Sequence, residues 1–195
     1  NNKRVKNLNF ICSDLITFDL DKFLLQKEIT HYLNFAAIKH VRSEESIYGF
    51  RYMLATNSIN FLPKKINKLE KLFSISTDKT VNPSSLLGIT KYLMETNLSF
   101  FFKKNKIFFS SFRFANVSFS NGSILKYIVD RIIQKKPFGV PKKIKRFSIT
   151  HEEASSLCFK SLLKRNSGKI IVPNPKLLSE EILIEDITRK ILSYY

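Results

Sequence analysis

Short apolar runs alternate along the chain with longer segments in which apolar side chains recur every three or four positions. The short runs predict β-strands and the longer segments predict α-helices. The predicted strands cover residues 8–12, 32–36, 72–76, 107–114, 146–149 and 169–172. The predicted helices cover residues 19–29, 44–69 with an interruption near Pro63, 85–102, 123–134, 151–164 and 179–193. Because continuous apolar strands alternate with helices, we predict an α/β fold whose parallel sheet is covered on both faces.

Two of the predicted helix starts carry capping residues. Thr150 is followed three positions later by Glu153, which is the spacing of a capping box. Ser179 is a suitable N-cap for the last helix. We therefore expect helices to begin directly after Thr150 and Ser179.

The length and charge narrow the class of protein. The 195 residues suit one domain, or one domain with a small appendage, and the apolar share of 44% allows a buried core. Lys and Arg number 33 against 16 Asp and Glu, and a net charge of +17 first suggests nucleic acid or an anionic membrane. The basic residues are dispersed, and the densest stretches, 64–71 and 135–146, lack interleaved aromatic residues. We expect no nucleic-acid ligand, since that alternative rests on charge alone.

The cysteines and the hydropathy pattern bear on location. Cys12 and Cys158 lie far apart in apolar surroundings, and no metal-ligand spacing occurs, so we expect a reduced chain without a metal site. No apolar run approaches 18 residues, and no signal peptide precedes the first predicted strand. These features predict a cytoplasmic protein without a membrane span.

Chemically useful residues follow the predicted strands, where open α/β sheets bind ligands. After the strand at residues 32–36, Ala36 and Ala37 would allow a ligand to lie against the backbone, and Lys39 could reach an anionic group. Small residues at this place are also common where a strand is simply packed tightly.

A second polar segment follows the strand at residues 72–76. Ser76, Thr77, Asp78 and Lys79 place a hydroxyl, a carboxylate and an ammonium side by side, which is a compact acid/base cluster. Asp78 and Lys79 in contact would shift each other's proton affinity. The alternative is an ion pair in an ordinary polar loop.

Two further patterns lie downstream. Leu87 and Lys91 are four residues apart and therefore share one face of the predicted helix. After the strand ending at Phe114, a polar loop contains Asn121-Gly122, and a helix is expected to begin near Ser123. Backbone N–H groups at such a helix start suit a phosphate group, although the pattern is also a common turn.

Taken in order, these segments resemble a known family. They are Ala-Ala-Ile-Lys-His-Val at 36–41, Ser-Thr-Asp-Lys-Thr-Val-Asn-Pro at 76–83, Gly-Ile-Thr-Lys at 88–91 and Arg-Phe-Ala-Asn-Val at 113–117. Residues 145–147 and 150–154 fit the same pattern. Over roughly residues 8–190, the chain resembles the UDP-N-acetylglucosamine 4,6-dehydratases, the polysaccharide-biosynthesis branch of the extended short-chain dehydrogenases/reductases.

The resemblance implies a fold and a set of ligands. The fold would be a Rossmann-like parallel sheet with helices on both faces, plus a small C-terminal substrate-binding part. Residues 1–114 would form the NAD(P)-binding domain, and residues 115–195 would form the nucleotide-sugar-binding part, interleaved with the sheet. The cofactor would be NAD or NADP, and the substrate would be a nucleotide sugar, whose negative charge the basic chain would attract. The protein would assemble as a homo-oligomer.

The resemblance also implies a role for each matching residue. Thr77 would hold the sugar C4 oxygen, Asp78 would protonate the departing C6 hydroxyl, and Lys79 would remove the C5 proton. Lys91 would hydrogen-bond the nicotinamide ribose. The expected cofactor-binding residues are Ala36, Ala37, Lys39, Ser76 and Lys91. The expected substrate-binding residues are Asn116, Ser120, Asn121, Gly122, Ser123 and Arg146, the last near the phosphates.

The sequence departs from the family pattern at two places. Leu87 occupies the position of the usual Tyr, so Asp78, Thr77 or water must handle the C4 hydroxyl proton. The chain has only 5 Gly, the first at Gly49, and lacks the G-x-G-x-x-G turn that holds the pyrophosphate. The opening βαβ unit is therefore expected to be absent, with weakened cofactor binding as the consequence.

Two alternative functions stay open. An epimerase or reductase could use the same scaffold, although a simple epimerase has no elimination for the Asp78-Lys79 pair to catalyse. A non-catalytic chain that binds a sugar nucleotide is favoured by Leu87 and the missing glycine turn. The retained Thr77, Asp78 and Lys79 argue against it.

Overall fold

Eight strands and six α-helices make up the part of the chain that the computed structural model describes, residues 7–39, 41–163, 168–174 and 181–195, with the side chains of 41 and 42 excluded. The strands are β1 (His31–Asn34), β2 (Lys71–Thr77), β3 (Phe108–Phe114), β4 (Asn116–Val117), β5 (Lys145–Arg146), β6 (Ser148–Ile149), β7 (Lys169–Ile171) and β8 (Ile182–Leu183). The α-helices are α1 (Leu20–Gln26), α2 (Ile47–Leu54), α3 (Leu86–Asn105), α4 (Ile124–Ile133), α5 (His151–Leu163) and α6 (Ile184–Leu192). Short 3₁₀-helices cover Val41–Glu44 and Asp78–Thr80, and a π-helix at Ala55–Ile59 continues α2.

The main sheet has the strand order β1-β2-β3-β7, and all of its strands are parallel. Parallel neighbours require crossover connections, and α3 provides the one between β2 and β3. Strands β4 and β6 form a separate parallel pair, and β5 and β8 form an antiparallel pair. The predicted α/β fold with a parallel sheet is therefore confirmed.

Apolar side chains cover both faces of the main sheet. On one face Leu72 and Phe109 pack with Met94 and Leu98 of α3. On the other face Phe73 and Phe112 pack with Cys158 of α5. Each of the large side chains in these clusters is worth roughly 1.5–3 kcal/mol when fully buried. The two sets alternate along β2 and β3, so each strand contributes apolar side chains to both faces.

A row of small polar side chains crosses the α3 face of the sheet. Asn34, Ser74 and Ser111 lie beside each other on β1, β2 and β3. Asn34 Nδ2 donates to Ser74 Oγ over 3.1 Å, and Ser111 Oγ donates to the Ser74 carbonyl over 3.0 Å. Ser74 Oγ in turn lies 3.0 Å from Met94 Sδ. Because these side chains are short and mutually satisfied, α3 lies close to the strands.

The predicted strand at residues 8–12 is wrong. The structure shows an irregular segment there, and Leu8, Phe10 and Ile11 are largely exposed. A strand needs a hydrogen-bonding neighbour, and among the described residues β1 pairs with β2 alone. An apolar run without such a neighbour does not become a strand.

Other boundaries also differ from prediction. The helix predicted for residues 44–69 ends at Ile59, because α2 widens into the π-helix and the chain then turns ahead of Pro63. The strand predicted for residues 146–149 divides at Phe147, since its halves, β5 and β6, pair with different partners. Helix α6 begins at Ile184, and the N-cap predicted at residue 179 lies outside the described residues.

The capping box ahead of α5 is confirmed. Glu153 N donates to Thr150 Oγ1 over 3.1 Å, and Thr150 N donates to Glu153 Oε2 over 2.8 Å. The cap fixes the point at which the chain leaves β6 and turns along the sheet.

Candidate active site

The carboxyl end of β2 carries the central acid/base residues. Thr77 ends the strand and caps the 3₁₀-helix Asp78–Thr80, its Oγ1 accepting a hydrogen bond from Lys79 N over 3.4 Å. The Thr77 hydroxyl donates to Asp78 Oδ1 over 2.9 Å. The tight turn therefore presents a hydroxyl, a carboxylate and an ammonium at one edge of the sheet.

The end of β3 meets this turn. Lys79 Nζ lies 3.7 Å from Asp78 Oδ1 and 3.5 Å from Asn116 Oδ1 on β4. Asn116 Nδ2 donates to the Phe147 carbonyl over 3.2 Å, which ties the amide to the segment between β5 and β6. The Asp78 and Lys79 side chains are nearly half-exposed, so a ligand in solution can reach both.

Lys39 lies near the same edge, after β1. Partial burial lowers the pKa of Lys39, and the positive charge of Lys79 lowers it further. Two mutually repelling ammonium groups at one sheet edge favour an anionic ligand between them. Ala36 and Ala37 precede Lys39, and Ala36 N donates to Asn34 Oδ1 over 3.2 Å.

Lys91 approaches the cluster from α3. Its ammonium is buried, donates to the Ile75 carbonyl of β2 over 2.9 Å and lies 3.5 Å from Met94 Sδ. Burial lowers the pKa of Lys91 to about 8, and the nearby Glu95 carboxylate opposes part of that shift. Leu87, one helical turn earlier, supplies no proton-transferring group.

A buried carboxylate that the sequence reasoning missed underlies the site. Glu95, 3% exposed, accepts hydrogen bonds from Arg113 Nε over 2.9 Å and from Arg113 Nη2 over 2.6 Å. Ser76 Oγ donates to the same carboxylate over 2.6 Å. The hydrogen bonds that Arg113 donates to Glu95 raise the pKa of Arg113. The available sequence signal was the four-residue spacing from Lys91, which places Glu95 on the same face of α3.

Asn57, in the π-helix, is a second missed residue. Its Oδ1 accepts from Ile38 N over 2.8 Å, and its Nδ2 donates to the Ile38 carbonyl over 2.9 Å. Nδ2 also lies 3.2 Å from Thr90 Oγ1 on α3. One buried amide therefore holds the loop after β1 against the helix that carries Lys91. Within a segment predicted as one long helix, nothing marked this Asn as special.

The start of α3 is held close to the turn that contains Lys79. Glu44 accepts hydrogen bonds from Leu86 N and Leu87 N, each over 3.3 Å, and its charge suits the positive end of the helix dipole. At Gly88 a Cβ would lie 2.7 Å from the Lys79 carbonyl oxygen. Only glycine permits this approach of helix and turn.

The predicted substrate-binding residues divide into two groups. Asn116 joins the cluster, as described above, whereas the loop that contains Ser120, Asn121 and Gly122 follows β4 and leads into α4. Helix α4 begins near Ser123, as predicted. Ser123 is its N-cap, and Ser123 Oγ accepts a hydrogen bond from Lys126 N over 3.3 Å.

Arg146 and Ser76 are engaged elsewhere. Arg146 is exposed and donates to the carbonyl of Lys145 over 3.3 Å, beside the Phe147 carbonyl that Asn116 binds. The hydroxyl of Ser76 points to Glu95. The roles of these residues in ligand binding stay predictions.

The sheet, its flanking helices and the polar cluster at its carboxyl edge define an α/β protein of the Rossmann-like type. Residues 2–195 match the family described as polysaccharide biosynthesis protein, and the chain belongs to that family.

The names of individual relatives differ. An uncharacterized membrane protein of Methanocaldococcus jannaschii is 31% identical over 176 residues, which are 84% of this chain and 52% of that protein. A UDP-glucose 4-epimerase of Rickettsia bellii is 28% identical over 168 residues, 80% of this chain and 48% of the epimerase. The capsular polysaccharide biosynthesis protein CapD of Staphylococcus aureus is 29% identical over 130 residues, 66% of this chain and 21% of CapD. The chain thus spans about half the length of the first two relatives, and about a fifth of the third.

Solved structures share the fold. A dTDP-glucose 4,6-dehydratase of Streptomyces venezuelae, with NAD bound, superposes with a TM-score of 0.80 at 15% identity, covering 98% of this chain and 65% of that one. A UDP-glucuronic acid 4-epimerase of Bacillus cereus, in complex with NAD, gives 0.79 at 21% identity, covering 94% and 65%. At these identities the likeness shows the fold alone. Among the residues described here, no helix is both long enough and apolar enough to cross a bilayer.

Proposed function

We propose that the chain carries the acid/base site of a nucleotide-sugar 4,6-dehydratase that acts on a UDP-N-acetylglucosamine-type substrate in polysaccharide biosynthesis. The observation that carries the proposal is the contact of Asp78 with Lys79 at the carboxyl end of β2, at 3.7 Å. An elimination needs one acid and one base on adjacent carbons, and this pair supplies both within one short turn. Membership in a polysaccharide-biosynthesis family agrees with the proposed substrate class.

The proposed reaction assigns one proton to each residue. Oxidation at sugar C4 makes the C5 proton acidic, and the neutral amine of Lys79 removes that proton. The C6 hydroxyl takes a proton from the Asp78 carboxyl and leaves as water, which balances the proton gained by Lys79. The C4 hydroxyl proton released in the oxidation at C4 passes through the Thr77 hydroxyl to the Asp78 carboxylate, which thereby becomes the acid. When the hydride returns to C6, Lys79 gives its proton back to C5, so both residues regain their starting states. Thr77, whose hydroxyl already lies 2.9 Å from Asp78 Oδ1, would orient the C4 oxygen.

The described residues fit the nicotinamide side of NAD or NADP. Ala37 and Lys39 are exposed after β1, and Asn57 satisfies the Ile38 backbone there, so a ligand meets a fixed loop. Lys91 has three N–H donors and uses two on Ile75 and Met94, which leaves one for a ribose hydroxyl. A bound dinucleotide would accept the hydride from C4 and return it to C6.

The direct test is mass spectrometry of UDP-N-acetylglucosamine after incubation with the chain and added NAD. A product lighter by one water supports the dehydratase. A 4-epimerase, which the Rickettsia and Bacillus relatives make the second candidate, gives a product of unchanged mass that chromatography separates from the substrate. A sugar that binds but stays unchanged in both respects supports a non-catalytic binding chain.

Three further expectations belong to the proposal. The boundary between the cofactor-binding and sugar-binding parts at residue 115 stays a prediction, although β7 returns to the main sheet after it. A homo-oligomer and a cytoplasmic location also stay predictions. Analytical ultracentrifugation of the purified chain tests the first of these two, and fractionation of the source cells tests the second.

A further inference from the structure

The Glu95 carboxylate joins the ends of two strands. Ser76 on β2 and Arg113 on β3 lie side by side in the parallel sheet, and both side chains project from the face that α3 covers. Glu95 Oε1 accepts from Ser76 Oγ over 2.6 Å and from Arg113 Nε over 2.9 Å. Its Oε2 accepts from Arg113 Nη2 over 2.6 Å. A single side chain of α3 therefore fixes both strand ends.

The Glu95 carboxylate also lies near the residue that follows the turn of Thr77, Asp78 and Lys79. Thr80 Oγ1 donates to the Thr77 carbonyl over 2.8 Å and lies 3.5 Å from Glu95 Oε1. Ser76 and Thr80 immediately precede and follow the three residues from Thr77 to Lys79. Glu95 thus contacts both sides of the turn that presents the acid and the base.

Glu95 also stands one helical turn from Lys91. The charged group that acts on Lys91 from its own helix is Glu95, whereas β2 offers Lys91 only the uncharged carbonyl of Ile75. Arg113 Nη2 lies 2.6 Å from Glu95 Oε2 and balances its charge. The carboxylate is therefore shared between the helix that carries Lys91 and the strands that carry the turn.

We propose that Glu95 is a positioning residue: its carboxylate holds the turn with Thr77, Asp78 and Lys79 at a fixed separation from Lys91. This inference rests on the function proposed above. An ion pair that only stabilised the sheet could sit anywhere along α3. Here the hydrogen bonds converge on the two residues that flank the catalytic turn.

Glu95→Gln is the informative change. The Gln side chain keeps the shape and an acceptor for Ser76, but it loses the charge that faces Arg113 and Lys91. Leu98→Ala is the matched control, because Leu98 is fully buried on the same helix and touches the apolar cluster instead of the polar one. If Glu95→Gln fails to fold, Glu95→Gln with Arg113→Met removes the unpaired guanidinium and serves in its place.

Two readouts separate positioning from general stability. Amide exchange of Lys79 and Val81, whose N–H groups are bonded within the turn, should accelerate about tenfold or more relative to the rest of the sheet in Glu95→Gln, as expected for loss of a charge-assisted hydrogen bond. The titration midpoint of Lys91, followed by NMR of labelled lysine, should fall by roughly one pH unit. Leu98→Ala should speed exchange along α3 and both central strands evenly and leave the Lys91 midpoint in place.

Turnover completes the test. In an active chain, Glu95→Gln should lower kcat much more than it raises KM, since substrate still meets Asp78, Lys79 and Asn116. The inference is overturned if Glu95→Gln and Leu98→Ala show the same pattern of amide exchange and the same Lys91 titration midpoint. A different outcome is that the wild-type chain releases no dehydrated sugar while amide exchange and the Lys91 midpoint both respond to Glu95→Gln. That result contradicts the proposed function but supports the positioning of the turn by Glu95.

Discussion

Gly88 of α3 lies directly against the carbonyl oxygen of Lys79, and a Cβ at Gly88 would come within 2.7 Å of that oxygen. The atom it would meet belongs to the backbone and cannot swing aside. The helix that carries Lys91 and the turn that carries Lys79 are therefore in contact through a residue without a side chain.

Gly88→Ala should displace the turn and lower both stability and turnover. Overpacking against a fixed backbone costs about 1–3 kcal/mol, which exceeds the gain in helix propensity of at most about 1 kcal/mol. Denaturant unfolding measures the first effect, and the dehydration assay measures the second. Gly139→Ala is the control, because a Cβ there meets nothing within 4 Å. Equal behaviour of the two variants would contradict the close approach.

Lys79→Ala should abolish elimination without harming the fold. A general base contributes about 10²–10⁴ in rate, so turnover should drop by at least about a hundredfold. The Lys79–Asp78 contact is nearly half-exposed, and such pairs contribute only about 0–1 kcal/mol to stability. Lys68→Ala, which breaks the exposed ion pair with Glu28, is the matched control for turnover. Substantial loss of folded Lys79→Ala protein would instead support a structural ion pair.

Asn57→Ala should loosen the loop after β1. The substitution leaves the half-buried N–H and carbonyl of Ile38 without their partner, at a cost of about 2 kcal/mol in the free energy of unfolding. Asn97→Ala is the comparison: it removes a single side-chain hydrogen bond, from Asn97 Nδ2 to the Ser58 carbonyl, and should cost about 1 kcal/mol. Amide exchange should rise at residues 36–39 in the first variant alone. Unchanged exchange there would show that the loop is held by other contacts.

Stability should rise as the pH increases from about 8 towards 10.5. The pKa of Lys91 is about 8 in the folded chain and 10.5 as a free side chain, so the unfolded state binds more protons within that window. The folded state is penalised fully below about pH 8, and the penalty, about 3 kcal/mol, is relieved as the pH passes into that range. Lys91→Met should remove most of the rise in urea-unfolding free energy, since the pKa shift of Lys91 is larger than that of Lys39. A slope that survives in Lys91→Met would assign it to another group.

Tyr32 should set the upper limit of that rise. Burial raises the pKa of Tyr32 from 10.0 to about 12, so the unfolded chain loses the phenol proton first and stability falls as the pH climbs from 10 to 12. Tyr32→Phe should keep the gain from Lys91 and lose this decline. The same unfolding series, extended to pH 11, provides the measurement.

The sequence predicted the central sheet well because its signal is local. Strands β2 and β3 carry apolar side chains on both faces, and these short apolar stretches stand out between the helical segments. The Asp78-Lys79 turn was predictable for the same reason, since it directly follows such a run. The run at residues 8–12 has the same composition, but strand formation depends on a neighbour that no local pattern reveals.

The missed residues depend on contacts between distant parts of the chain. Asn57 meets Ile38 across 19 positions, and Glu95 meets Arg113 across 18. A polar residue inside a predicted helix looks the same whether it faces water or a buried backbone group. Only the packing of α3 on the strands turned Glu95 into the centre of a network.

The ion pair of Glu95 with Arg113 also specifies the alignment of two strands. Side chains alternate between the faces of a strand, so a slip of β3 by one residue against β2 would turn Arg113 towards α5. It would then lie against Phe73 of β2 and Cys158 of α5 as a charge without a partner, while Glu95 stayed buried without its cation. The apolar residues on both faces tolerate such a slip, but the charges do not. A pair that arranges a site in the folded protein thereby also rejects a misaligned sheet during folding.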